Sequence, residues 1–77
     1  MKGRFEMEID NLAILTNEII PPIGRKLKYA AMVQFLYVID ENGRHKVSND
    51  FGETWGQTKK EAEEKMQQKV RDWVASQ

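Results

Sequence analysis

Phe5-Glu6-Met7-Glu8-Ile9-Asp10 alternates apolar with acidic residues, which sets Phe5, Met7 and Ile9 on one side of a strand and the carboxylates on the other. Asp10-Asn11 tolerates the left-handed backbone of a tight turn, and Leu12-Ala13-Ile14-Leu15-Thr16 then returns as the second arm of a hairpin. The same stretch also fits a helix from Asn11 to Ile20, because Leu12, Leu15, Thr16 and Ile19 would share a face; the alternation before it favours the hairpin slightly. Pro21-Pro22 ends either element, and Ile23-Gly24-Arg25-Lys26 reads as a loop.

Tyr29 to Ile39 is the strongest strand, rich in aromatic and β-branched residues and closed by Asp40-Glu41-Asn42-Gly43. Strict alternation sends Tyr29, Ala31, Val33, Phe35, Tyr37 and Ile39 one way and Ala30, Met32, Leu36 and Val38 the other. Both faces are apolar, which predicts a central strand covered on both sides. Asn42-Gly43 is a hairpin signal; the returning strand runs from Arg44 or His45 to Phe51, with a short further piece around Glu53 to Trp55.

Thr58-Lys59-Lys60-Glu61 has the spacing of a capping box, in which the Thr58 hydroxyl accepts from the Glu61 amide and the Glu61 carboxylate accepts from that of Thr58. A helix from Lys59 to about Ala75 follows, with Ala62, Met66, Val70, Trp73 and Val74 forming an apolar stripe and Glu61 paired with Lys65. The whole predicts a single α+β domain over residues 1–77: an antiparallel sheet of about four strands, with the C-terminal helix packed on one face. One helix leaves the second face open, so either the N-terminal segment folds over it or a second copy does. The plainer alternative leaves Ala30 and Met32 at a partly exposed surface.

Seventy-seven residues support one small core, and the chain contains no cysteine and one histidine. That excludes a disulfide staple and a thiolate zinc site, and leaves too few histidines for a His-based one. Twelve Lys and Arg balance twelve Asp and Glu, which weighs against avid nonspecific binding to nucleic acid or anionic membrane. The balance is uneven along the chain, however. Arg25, Lys26, Lys28, Arg44 and Lys46 make the middle basic, but the long strand separates the first three from the last two. Lys2 and Arg4 are followed by no signal-peptide core, and Tyr29 to Ile39 is too short to cross a membrane, so the expected location is cytoplasmic.

Candidate chemistry is sparse. Asp40, His45 and Ser48 occur in order, but an odd spacing along a strand sets side chains on opposite faces, so no triad is expected. His45 reads as a solvated turn residue. Glu6, Glu8 and Asp10 line one strand face, without the loop and turn glycine of a calcium site. No glycine-rich phosphate loop is present, and neither metal nor cofactor is implied. Lys59 and Lys60 stand at the positive end of the helix dipole, where an approaching anion would meet both lysines and free backbone amides; Glu61, Glu63 and Glu64 nearby neutralise them in the simpler picture.

Gly56-Gln57-Thr58-Lys59-Lys60-Glu61-Ala62-Glu63 resembles the start of the last helix in double-stranded RNA-binding domains, Gly-x-Ser/Thr-Lys-Lys-x-Ala-Lys, with Glu63 replacing that pattern's final lysine. In that family the resemblance implies phosphate contacts from Lys59 and Lys60. Residues 28–75 are also similar to integrase arm-type DNA-binding domains, in which three strands precede one helix. That pattern fits the thirteen positions from His45 to Thr58 better than the two full strands of the RNA-binding family do, and leaves the first 27 residues unassigned.

The functional expectation is a small non-enzymatic binding module. The first form contacts nucleic-acid backbone through Lys59, Lys60, Arg44 and Lys46, with Arg25 and Lys26 as further candidates. The alternative is a protein-interaction or homodimerisation module whose sheet face carries Met32, Leu36 and Val38.

Overall fold

Every strand of the sheet pairs with one central strand. The computed structural model describes residues 6–24 and 26–77, so Phe5 of the predicted first strand and Arg25 of the predicted loop lie outside the described residues. In chain order the elements are β1 (Glu8–Ile23), β2 (Leu27–Asp40), β3 (Gly43–Lys46), β4 (Glu53–Gly56) and α1 (Lys59–Ala75). β1 lies antiparallel along one side of β2. On the other side, β3 pairs with Tyr37 to Asp40 and β4 with Tyr29 to Met32, both antiparallel, so two short strands share one edge. The result is the expected α+β arrangement of a four-stranded antiparallel sheet with one C-terminal helix.

The first element differs from the hairpin with a turn at Asp10-Asn11, and from the competing helix. Residues Glu8–Ile23 form one long strand. Asp10 is instead a bulge: Ile9 stands opposite Val38 and Asn11 opposite Tyr37, so Asp10 has no partner of its own. The backbone latitude that suits Asp to a turn also suits it to a bulge. Pro21-Pro22 does not end the element as expected; it lies where the pairing jumps from Glu18 with Tyr29 to Ile23 with Leu27. From Glu8 onward the N-terminal segment is thus part of the sheet rather than a cover over it.

Gln34 decides which residues form the core. Phe35 pairs with Ala13 and Val33 with Ile14, which leaves Gln34 as an extra residue in β2 and reverses the alternation beyond it. Before the bulge, Tyr29, Ala31 and Val33 face the helix; after it, Leu36 and Val38 do. Leu36 is 1% and Val38 0% exposed, packed with Ala31, Phe51, Ala62, Met66, Val70 and Val74. This corrects the strict two-face division of β2: Phe35, Tyr37 and Ile39 belong with Ala30 and Met32.

The helix follows its apolar period. Ala62, Met66, Val70 and Val74 are buried, and Trp73 packs at the margin with its ring edge-on to Phe51 at 5.5 Å between centroids. Thr58 caps the N-terminus by accepting from the Glu61 amide at 3.0 Å. The Glu61 carboxylate accepts from the Gln57 amide at 2.9 Å, one residue earlier than the box predicts. Gly56 brings β4 against this first turn, where a Cβ would lie 2.7 Å from the Ala62 nitrogen. Thr54 donates its hydroxyl to the Ala62 carbonyl, and Lys65 and Lys69 donate to the carbonyls of Trp55 and Phe51, fastening the helix to the β4 edge.

Candidate functional site

Residues directly opposite one another in a sheet share a face. Met32 therefore lies beside Leu15 and Glu53, Ala30 beside Asn17 and Trp55, and Phe35 beside Ala13, all on the face away from the helix. Farther along, Tyr37 is flanked by Asn11 and Lys46, and Ile39 by Glu8 and Arg44. Leu15 is 44% exposed, Met32 39% and Trp55 41%. No described element packs over this face, and its centre is a continuous apolar strip across three strands.

Structured polar contacts bound the strip at one end. Arg44 donates to the Asp10 carboxylate, and its guanidinium lies 4.2 Å from the Tyr37 ring centroid. Tyr37 in turn meets Phe35 edge-on at 5.7 Å. The Asp10 bulge and the Glu41-Asn42 turn, followed by Gly43 at φ 97°, bring these groups together from three strands. Arg44 is therefore held by two partners.

Of the residues predicted for a protein interface, the structure leaves only Met32 on the open face. Leu36 and Val38 are in the core because the Gln34 bulge turns them under the helix. Sequence reasoning missed Leu15 and Trp55. The available signal was Gln34, one polar residue interrupting an apolar run, but its effect depends on the pairing with β1.

The candidate nucleic-acid residues fall at two ends. Lys59 and Lys60 open α1 just beyond Gly56, which is level with Tyr29, so they share an end of the domain with Lys26 and Lys28. Arg44 and Lys46 lie level with Ile39 and Tyr37. Tyr29 and Tyr37 are separated by about 26 Å of extended chain. All six of these cations are exposed, and among the described residues no ion pair ties Lys59 or Lys60.

On the helix side of the β2–β3 turn, Asp40 and His45 do meet, with Oδ2 and Nε2 2.7 Å apart. Odd spacing separates faces along one strand but not across a turn: His45 is opposite Val38 and shares its side, as does Asp40. The His45 hydrogen bond, aided by the Asn42 amide at 2.8 Å, holds the Asp40 carboxyl below its ordinary value, and the same bond to Asp40 raises His45. No hydrogen bond joins Ser48 to either, so the third member of a hydrolytic triad is not in place. Among the described residues, no three His, Asp or Glu side chains converge as metal ligands, and no helix is long and apolar enough to cross a membrane.

No protein-family model matches the chain, and the comparisons with curated proteins and with solved structures likewise found no match.

Proposed function

We propose that the chain is a homodimerisation module whose open sheet face packs against that of a second copy. The observation that carries this reading is the contiguous, exposed set of Leu15, Met32 and Trp55 on a face with no intramolecular cover. From Ala30 to Ile39 and across three strands, the face measures about 30 Å by about 14 Å, or about 400 Å² before side-chain relief is added. That area includes Glu8, Asn11, Arg44, Lys46 and Glu53, so its apolar part is smaller, and the clustering of exposed Leu15, Met32 and Trp55, rather than the area, supports association. Its charges suit a second copy: Glu8, Asp10 and Glu53 balance Lys28, Arg44 and Lys46, so the face opposes its twin with no net charge. Two such faces would stack about 10 Å apart, extending a core that one small chain builds from few residues.

Sedimentation equilibrium from about 1 µM to about 1 mM tests this, since a patch this small supports only a modest affinity. The mass should rise toward that of a dimer and persist in high salt, whereas Met32→Glu should remain monomeric with its helix intact by circular dichroism. A wild-type monomer across the whole range would end the proposal.

A second reading, contact with nucleic-acid backbone, is favoured by the placement of Lys26 and Lys28 at the end where Lys59 and Lys60 begin the helix. Phosphates would meet four cations there, with Arg44 and Lys46 too distant to join them. Such binding should appear in a low-salt anisotropy titration with duplex DNA or RNA, weaken steeply with salt, and disappear on Lys59→Glu with Lys60→Glu. Absence of binding at low salt would remove it.

A further inference from the structure

At one end the sheet narrows to the β1–β2 ribbon alone. Continuous pairing of these strands stops at Glu18 with Tyr29, β4 ends level with Tyr29 at Gly56, and beyond them Ile23 pairs with Leu27. Between those two pairs β1 has Ile19-Ile20-Pro21-Pro22 and β2 has only Lys28, so β1 swells out of the ribbon. Ile20 is 80% and Ile23 47% exposed, the two most exposed large apolar side chains among the described residues. Pro21 and Pro22 between them are exposed as well, and neither isoleucine packs on the core. A single exposed isoleucine needs no explanation. Two on one projecting turn, bordered by lysines, form a patch that asks for an apolar environment.

We infer that this turn inserts into the surface of a bilayer that contains anionic lipid. Charge selects an anionic partner. Lys28 stands opposite the apolar excursion and Lys26 lies in the turn itself; β4 runs toward the same end, so Lys59 and Lys60, which open α1 just past it, stand there too. All four lysines are exposed, and among the described residues none forms an ion pair. The acids begin farther back. Glu18 is level with Tyr29, Glu61 accepts from the Gln57 amide and pairs with Lys65, and Glu63 and Glu64 follow about one turn deeper along the helix. The neutral sum over the chain therefore conceals an end whose outermost charges are positive. Lysines alone would suit nucleic-acid and lipid phosphates equally; the isoleucines decide between them. A duplex offers apolar side chains a place only where a base step is unstacked, whereas the acyl boundary of a bilayer accepts them directly. The turn extends about 10 Å beyond Tyr29, which matches the depth of about 5–10 Å to which interfacial segments sink. Lys28, Lys59 and Lys60 would then lie at the level of the lipid phosphates, each worth a similar increment of attraction. This site lies beyond the face assigned to the dimer and does not rest on it, and it gives to lipid the cations that the second reading gives to nucleic acid.

The test uses the whole chain and vesicles of phosphatidylcholine, alone or in equal parts with phosphatidylserine. Because the sequence has no cysteine, Ile20→Cys carries a single polarity-sensitive dye. Its emission should shift to the blue on the mixed vesicles and not on phosphatidylcholine alone, while the same dye at Gln68→Cys, an exposed position of α1, should not respond. In co-sedimentation of unlabelled protein with the mixed vesicles, Ile20→Ser with Ile23→Ser should weaken binding about tenfold or more. Lys26→Glu with Lys28→Glu should do the same. All four positions are exposed, so both variants should keep the circular dichroism of the wild type. Absence of binding to the mixed vesicles, binding that the two serines leave unchanged, or equal binding to phosphatidylcholine alone would overturn the proposal. So would binding to duplex DNA, and not to vesicles, that the serines weaken, because it would assign the isoleucines to a base step. Failure of face dimerisation would leave the dye at Ile20→Cys responding as before.

Discussion

Deletion of Gln34 gives an unusual expectation for a central strand. A one-residue change of register normally turns every following side chain to the other face. Here Gln34 is already unpaired between Val33 and Phe35. Without it, Val33, Phe35 and Leu36 alternate normally, so Val33, Leu36 and Val38 remain under the helix. The junction between β3 and β4 must close by one residue length, about 3.3 Å, within the Val47–Gly52 segment. We expect a loss of about 1–2 kcal/mol, in the range of a typical point change. If the strand instead alternated strictly through Gln34, deletion would turn Leu36 and Val38 outward. Exposing two such side chains costs about 3–6 kcal/mol, against about 4–12 kcal/mol for the whole domain at ordinary stability per residue. Urea denaturation followed by circular dichroism distinguishes the outcomes, with Leu36→Ala introduced in both backgrounds. That substitution should cost about 2–5 kcal/mol in each. An unfolded deletion variant, or one in which Leu36→Ala has no effect, would refute the bulge as the device that joins the two halves of the core.

Two further perturbations test particular contacts. Gly56→Ala should destabilise by about 1–3 kcal/mol through overpacking, because the new Cβ meets the Ala62 nitrogen at 2.7 Å and the Glu61 Cβ at 2.8 Å; an unchanged urea midpoint would contradict that close approach. The Asp40–His45 pair predicts a dependence on pH with a definite sign. His45 is raised, so its contribution is complete below the ordinary 6.5 and fades as pH rises through the folded value. Asp40 is lowered, so its contribution is complete above the ordinary 3.8 and fades as pH falls through the folded value. Stability of the wild type relative to His45→Gln should therefore decline as pH rises above the ordinary 6.5, and a flat difference on that side would show that the bond does not persist in solution.

How much of this was legible in sequence depended on the distance over which the determining interaction acts. The cap at Thr58 and the Ala62-Met66-Val70-Val74 stripe are set by neighbours within a few residues and appear as expected; the hairpin also forms, but with Glu41-Asn42 as its turn, Gly43 opening β3 opposite Asp40, and the returning strand ending at Lys46 rather than Phe51. Asp10 was ambiguous because its backbone latitude serves a turn or a bulge equally; pairing of Ile9 with Val38 and Asn11 with Tyr37 decides between them. Similarly, Gln34 is visible as a break in the apolar run, but only Ala13 and Ile14 on β1 make it the unpaired residue. Hence the existence of a second apolar face was legible, while its membership was not. The proximity of His45 to Asp40 was missed because alternation was applied across a turn, where the chain reverses and opposite residues share a side.

The placement of β3 and β4 on one edge has a consequence for the order of assembly. β1 and β3 each meet β2 through a short reversal of the chain, but β4 reaches Tyr29 to Met32 only after the intervening 20 residues have been brought back. Closing that loop is the entropically expensive step, and its return comes largely from α1, whose lysines fasten to the carbonyls of Phe51 and Trp55. The two hairpins can therefore form as local units, whereas β4 and the helix are joined to the same late event. Pairing at the edge opposite β1 is therefore the part of the sheet that cannot grow outward from a tight turn and must wait on closure of a longer loop.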